Sequence, residues 1–245
     1  MMEQDERNFS LSIAGHSFGI HTIYDEVYYL CRKYITNLPA EIDIKISEED
    51  IAKELKKVEP GGLTAKAYLE TLAVYRKIAE SILAFDEFLM HGAVVAYDDK
   101  AYMFTAPSGT GKTTHIRKWL KNLKESYVVN GDKPIIKITE NEAIACGTPW
   151  RGKERFGRNC MVPLKAIVLM ERGENNEIEE ISFERALSGL LRQSYMPEDT
   201  RKMKKTLALV AKLKDRVRFY KYVFNNMKED AFGVAYSAIA AGKDD

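Results

Sequence analysis

The chain has 245 residues, with 37 Lys and Arg against 36 Asp and Glu, a formal net charge of +1. With 45% hydrophobic and 30% charged residues, it has enough apolar side chain for a core, which excludes intrinsic disorder as its resting state. The near-zero balance argues against a protein that coats nucleic acid, because that role needs a basic excess to displace counterions from phosphates.

The first seven residues are acidic and polar rather than signal-peptide-like. Phe9, Leu11 and Ile13 alternate with polar residues, Gly15-His16-Ser17 reads as a turn, and Phe18 and Ile20 resume the alternation. That period of two predicts a hairpin. Val27, Leu30, Cys31 and Tyr34 predict a helix over 24–35, and Ile42, Ile44 and Ile46 predict a third strand. Ser47-Glu48-Glu49-Asp50 has the pattern of a capping box for a helix reaching Val58. Pro60-Gly61-Gly62 breaks that helix, and an amphipathic one follows over 64–85. These features predict a small α+β domain over 1–88 and a larger domain over 89–245.

The second domain opens with short apolar strands on either side of Asp98-Asp99-Lys100, a polar hairpin turn. After a glycine-rich loop and a helix to Leu123, strands are predicted at 127–129, 135–139, 143–146, 166–170, 178–181 and 217–223. Helices are predicted at 183–195, 199–213 and 229–240. Strands that come in consecutive pairs favour a mixed sheet over a purely parallel one, so the fold class is α/β with a mixed sheet. No uncharged apolar run of about 18 residues occurs, which argues against a membrane span. The three cysteines, Cys31, Cys146 and Cys160, form no C-x-x-C pair. They read as thiols of a reducing cytoplasm.

Residues 105–114 read Thr-Ala-Pro-Ser-Gly-Thr-Gly-Lys-Thr-Thr. Ala106-x-x-x-x-Gly111-Lys112-Thr113 fits the phosphate-loop pattern with Ala in first position, and it lies where a strand gives way to a helix. Gly109 and Gly111 let the backbone curl so that successive N–H groups of Ser108, Gly109, Thr110, Gly111, Lys112, Thr113 and Thr114 can cradle an anion. The helix presents its positive end to the same phosphates. Lys112 adds a charge for the terminal phosphates, and the Thr113 hydroxyl is a candidate magnesium ligand. The motif implies binding of ATP or another nucleoside triphosphate. Asp132, at the end of a predicted strand 20 residues past Lys112, is the candidate acidic magnesium ligand. The alternative, and the less favoured, reading is a turn residue between Gly131 and Pro134.

His91-Gly92, the hairpin, Ser108-Gly109-Thr110-Gly111-Lys112-Thr113-Thr114 and then Gly131-Asp132 together resemble the kinase core shared by HPr kinase/phosphorylase and phosphoenolpyruvate carboxykinase. Gly147-Thr148-Pro149-Trp150-Arg151-Gly152-Lys153-Glu154 resembles HPr-kinase-like proteins of peptide-modification gene clusters. The resemblance covers residues 89–240. Both families show two adjacent aspartates where this chain has Asp132-Lys133. The phosphorylase signature and the oxaloacetate-binding half have no counterpart.

The resemblance implies transfer of the γ-phosphoryl group of ATP to a hydroxyl, with a peptide or protein acceptor first. It implies that His91 or Asp132 receives or orients the acceptor proton; alone, His91 would read as structural. Arg151 is a candidate to stabilise the transferring group, although a solvated basic loop explains Arg151, Lys153, Arg155 and Arg158 as simply. His115 is expected on the helix surface. Two alternatives share the fold: a nucleotide-binding regulatory module, favoured by the single aspartate, and a small-molecule kinase. Related kinases form homo-oligomers, but no face of this sequence identifies itself as an interface.

Overall fold

The computed structural model describes residues 6–225, 227–228 and 230–240. The expectations for the extreme N-terminus and for a helix start at Glu229 therefore fall partly outside the described residues. The chain divides into two units, Met1–Ala84 and Phe85–Asp245.

In the first unit, β1 (Asn8–Ile13) and β2 (His16–His21) pair antiparallel with Ile13 opposite His16. The turn is Ala14-Gly15, both left-handed at φ 56° and 87°. It lies one residue earlier than expected, because a two-residue hairpin needs positive φ at both central positions to match the strand twist. Helix α1 (Glu26–Cys31) is shorter than expected. The chain turns at Tyr34, so that β3 (Ile35–Thr36) can pair with β1. β4 (Ile42–Lys45) lies parallel to β2, which completes a sheet of order β3-β1-β2-β4.

Helix α2 (Glu48–Leu55) starts at the expected capping box: the Ser47 hydroxyl accepts from Asp50 N–H while the Asp50 carboxylate accepts from Ser47 N–H. Helix α3 (Lys66–Ser81) ends in a 3-10 turn, Ile82–Phe85. Its fully buried Glu70 accepts the Ile23 and Tyr24 amides at 2.6 and 3.0 Å.

Among the described residues, the second unit is a nine-stranded mixed sheet with four α-helices. Its strands are β5 (Glu87–Leu89), β6 (Ala93–Tyr97), β7 (Lys100–Thr105), β8 (Tyr127–Asn130), β9 (Ile135–Ile138), β10 (Ala143–Cys146), β11 (Met161–Arg172), β12 (Glu177–Ile181) and β13 (Arg218–Phe224). The order is β5-β9-β10-β11-β7-β6-β8, with β13 on β11 and β12 on β13. β11 runs parallel to both β7 and β13, while the remaining pairs of this sheet are antiparallel. β7, β11 and β13 therefore end at one edge, where open α/β sheets place ligands.

The β6–β7 hairpin turns at Asp98-Asp99, with φ of 51° and 54°. β5 pairs with β9 and so belongs to this unit, although the sequence reading put the division at 88/89. The helices are α4 (Lys112–Asn122), α5 (Phe183–Gln193), α6 (Thr200–Lys212) and α7 (Ala231–Ile239), besides a 3-10 turn at Leu213–Asp215.

The core under β7, β11 and β13 is aromatic: Phe104, Trp119, Tyr222 and Phe224 pack with Val168, Ile116 and Ala235. His115 lies inside it with no exposed surface, which corrects the expected helix-surface position. Its ring is 4.6 Å from that of Phe104 and 5.3 Å from that of Tyr222. Trp119 Nε1–H donates to His115 Nε2 at 3.1 Å. Burial pushes the imidazole down from 6.5 to about 3, with a smaller contribution from Lys118. No described helix is long and apolar enough to cross a membrane.

Candidate functional site

Thr105 ends β7, and the chain leaves it as the glycine-rich loop that opens α4. Gly109 and Gly111 are both left-handed, at φ 77° and 118°. A Cβ on Gly109 would meet nothing within 4 Å, so the backbone conformation rather than space calls for glycine there. The first helical bond runs from His115 N–H to Gly111 O at 3.0 Å, so the amides of the first turn have no intrahelical acceptor.

Lys112 is largely buried, and its Nζ donates to Ala106 O at 2.8 Å and Pro107 O at 3.2 Å. Burial pushes this ammonium below its ordinary 10.5; Asp132 opposes the shift and Lys133 adds to it. A cavity of about 500 Å³ opens over the loop. His91, Ser108, Gly109, Gly111, Lys112, Thr113, Thr114, Asp132 and Arg151 all line it. Thr110 is the exception, its hydroxyl turned back to Pro107 O at 2.8 Å.

Asp132 lies in a turn fixed by neighbours that the sequence reading did not single out. The fully buried Asn130 accepts the amides of Asp132 and Lys133 at 2.8 and 2.7 Å through Oδ1. Its Nδ2 donates to Thr148 Oγ1 at 2.9 Å, and Thr148 Oγ1 donates to Lys133 O at 2.7 Å. The Asp132 carbonyl accepts from Gly92 N–H at 2.9 Å. Asn-Gly-Asp is a turn signal in its own right, and an Asx side chain that caps the amides two and three residues on is its physical basis.

The Asp132 carboxylate is shared. Oδ1 is 3.3 Å from His91 Nε2, and Oδ2 is 3.6 Å from Lys133 Nζ. Burial alone would raise this carboxyl. The hydrogen bond from His91 and the positive charges of Lys133 and Lys112 outweigh burial and hold it below 3.8. His91 is held in turn by Gln193 at the end of α5. Its Nδ1 lies 2.7 Å from Gln193 Oε1, its N–H donates to Gln193 O at 2.7 Å, and its carbonyl accepts from Thr105 Oγ1 at 2.7 Å. An ionised carboxylate only accepts, so His91 Nε2 carries the hydrogen between the pair.

The segment 151–158 lies along the end of β8. Gly131 N–H donates to Phe156 O at 3.0 Å and Arg158 N–H to Val129 O at 3.1 Å. A Cβ on Gly152, whose φ is 70°, would lie 3.1 Å from Asp132 Cβ, so the loop packs directly on the carboxylate's stem. Arg117 of α4 donates to Glu154 at 2.6 Å, tying this segment to the helix that follows the glycine-rich loop. Arg151 threads past Gly157, and its buried Nε has no protein acceptor among the described residues. The rest of the basic stretch divides: Lys153 lines the cavity, whereas the Arg158 guanidinium lies 4.3 Å from the Tyr127 ring centre.

Among the described residues no group of three or more His, Cys, Asp or Glu could hold a metal ion. The candidate donors are the Thr113 hydroxyl and the Asp132 carboxylate, both lining the cavity. Two protein oxygens suit magnesium, which keeps several waters and takes further ligands from substrate phosphates.

No protein-family model matches the chain, and no curated protein matches it. Among solved structures, the Hpr(Ser) kinase/phosphatase from Coxiella burnetii is similar at 10% identity and a TM-score of 0.38, over 61% of this chain and 95% of that one.

Proposed function

We propose that this chain binds ATP, or another nucleoside triphosphate, on its phosphate loop and transfers the γ-phosphoryl group to a hydroxyl. The observation that carries the reading is the meeting in one cavity of Lys112, Thr113 and the His91–Asp132 pair. The acceptor oxygen attacks the γ-phosphorus, the bond to the β,γ-bridging oxygen breaks, and the nucleoside diphosphate leaves. Asp132 receives the acceptor proton, because His91 Nε2 already donates to it and the carboxylate has lone pairs to spare. Lys112 leaves Ala106 O and Pro107 O to neutralise the β- and γ-phosphates. Arg151 offers its guanidinium to the charge spread over the transferring group. Thr113 and Asp132 would hold magnesium, which would offset the charge of the phosphates. A peptide or protein serine or threonine is the first-choice acceptor, on the family resemblance.

The test is label transfer from γ-labelled ATP with magnesium into an extract of the source cell, resolved by size. Label in a macromolecular fraction, lost with Asp132→Asn and with Lys112→Ala, supports a protein or peptide kinase. Label in the small-molecule fraction moves the acceptor class. Asp132→Asn is expected to slow transfer roughly 10²- to 10⁴-fold, the usual span for removing a general base. ATP binding without transfer to any fraction would favour a second reading, a nucleotide-sensing module. Lys133, 3.6 Å from Asp132, is the feature that favours it, because an ammonium there offsets the only carboxylate of the pair.

A further inference from the structure

Glycines permit the curl of the phosphate loop but supply nothing that holds it, since glycine samples both signs of φ freely. The hold comes from a neighbouring strand. β11 pairs with β7 as far as Leu169 opposite Thr105, and then runs on to Arg172, which stays in register with Phe224 of β13. Arg172 is thus fixed by β13 three positions beyond the end of its pairing with β7, level with the loop that leaves Thr105. From there its Nε donates to Thr110 O at 3.1 Å, and a terminal nitrogen donates to Gly109 O. Gly173 N–H to Phe224 O, at 3.1 Å, pins the next residue.

In a loop that turns its amides inward to an anion, the carbonyls point outward. One guanidinium therefore grips the outer side of the two peptide units that flank the left-handed turn, and Lys112 grips Ala106 O and Pro107 O. Anion binding releases Lys112 to the phosphates. Arg172 is not among the described residues that line the cavity, so the proposed phosphate contacts leave its two bonds to the loop in place.

We propose that Arg172 is a positioning residue for nucleotide binding, clamping the Gly109 and Thr110 carbonyls so that the loop amides stay convergent before any phosphate arrives. The inference rests on the nucleotide-binding reading above and adds to it the group that pre-organises the loop. Pre-organisation raises affinity by sparing the ordering cost at the moment of binding.

Arg172 is exposed, so Arg172→Gln is expected to fold as wild type. Two measurements test the role. In the ligand-free protein, amide exchange over residues 106–113 should quicken roughly tenfold in Arg172→Gln and stay unchanged elsewhere, since local opening is what the clamp resists. By calorimetry, affinities for ATP and for inorganic tripolyphosphate should both fall by the same factor, roughly tenfold for two charge-assisted bonds, with Arg172→Lys in between. Unchanged exchange with weakened binding would make Arg172 a direct phosphate ligand and overturn the positioning role. Quickened exchange with unchanged affinity would overturn it as well. If wild type binds neither probe, the nucleotide reading itself falls. If wild type binds and Arg172→Gln binds equally, only this inference does.

Discussion

The buried His115 makes the second unit acid-sensitive by an amount that can be worked out. Its folded value is about 3 against an ordinary 6.5. Below 6.5 the unfolded chain takes up a proton at this position, while the folded chain does not until the pH nears 3. Stability is therefore fully present above 6.5 and lost as the pH falls. The complete loss is about 5 kcal/mol, and the part lost between about pH 7.5 and pH 5 is about 2 kcal/mol.

His115→Phe removes this term. It also leaves Trp119 Nε1–H without its acceptor, a cost of about 1–3 kcal/mol that is the same at every pH. The assay is urea unfolding at both pH values followed by tryptophan emission. Both tryptophans, Trp119 and Trp150, belong to the second unit, so unfolding of the first unit does not enter the signal. Other acid-labile groups cancel in the comparison. Wild type should lose about 2 kcal/mol more than His115→Phe between the two pH values. Equal losses would refute the reasoning, because the imidazole would then be reaching water or a partner in the folded state.

Gly147→Ala should destabilise the second unit by about 3 kcal/mol in the same assay, because a Cβ there would fall 1.7 Å from Arg158 O and 2.9 Å from Val129 O, both backbone atoms. Wild-type stability in that variant would mean the 147–158 segment can move away from β8. ATP binding at a pH just below 10.5 should draw protons from the buffer, since burial lowers Lys112 from that value in the free protein and bound phosphates favour its charged form. Equal calorimetric heats in buffers of different ionisation enthalpy would contradict this. Gln193→Leu should lower phosphoryl transfer and leave ATP affinity unchanged, as Gln193 touches His91 rather than the phosphate loop; a parallel loss of affinity would count against that division.

What the sequence made legible was local. The glycine-rich turn from β7 into α4 could be read because its glycines, its lysine and the strand-to-helix junction all fall within ten residues, and the capping box at Ser47 for the same reason. Asp132 could be placed by spacing, because one helix and one strand carry the chain back to the same edge. Gln193 and Arg172 left no such trace: their partners are 102 and 62 residues away, and only the sheet order brings them together. β11 was expected as 166–170 because only that stretch is continuously apolar. Its first half alternates buried and exposed positions, as a strand flanked by β10 should. β5 was missed because Glu87 reads as a surface residue, yet it is fully buried and paired with Lys137 at 3.0 Å. His115 was misplaced because a lone histidine reads as polar; Trp119 one turn later was the available signal, being both aromatic and a donor.

The pieces of the site come from four separated stretches, and polar side chains rather than apolar packing fix their mutual positions. Asn130 holds the Asp132 turn through two backbone amides. Gln193 and Thr105 hold His91 from both sides. Arg172 and Lys112 hold the phosphate loop by its carbonyls. Each such bond is directional, whereas an apolar contact would let the groups slide by tenths of an ångström at little cost. Phosphoryl transfer asks chiefly for position and for charge placed in advance. Burial pushes the loop lysine toward losing its charge, with Asp132 opposing the shift and Lys133 adding to it. Among the described residues, the carboxylates lining the cavity are Asp132 and Glu154, the latter taken by Arg117. An anionic ligand there would favour the charged form of the buried ammonium, which is the electrostatic basis of the proposed nucleotide binding.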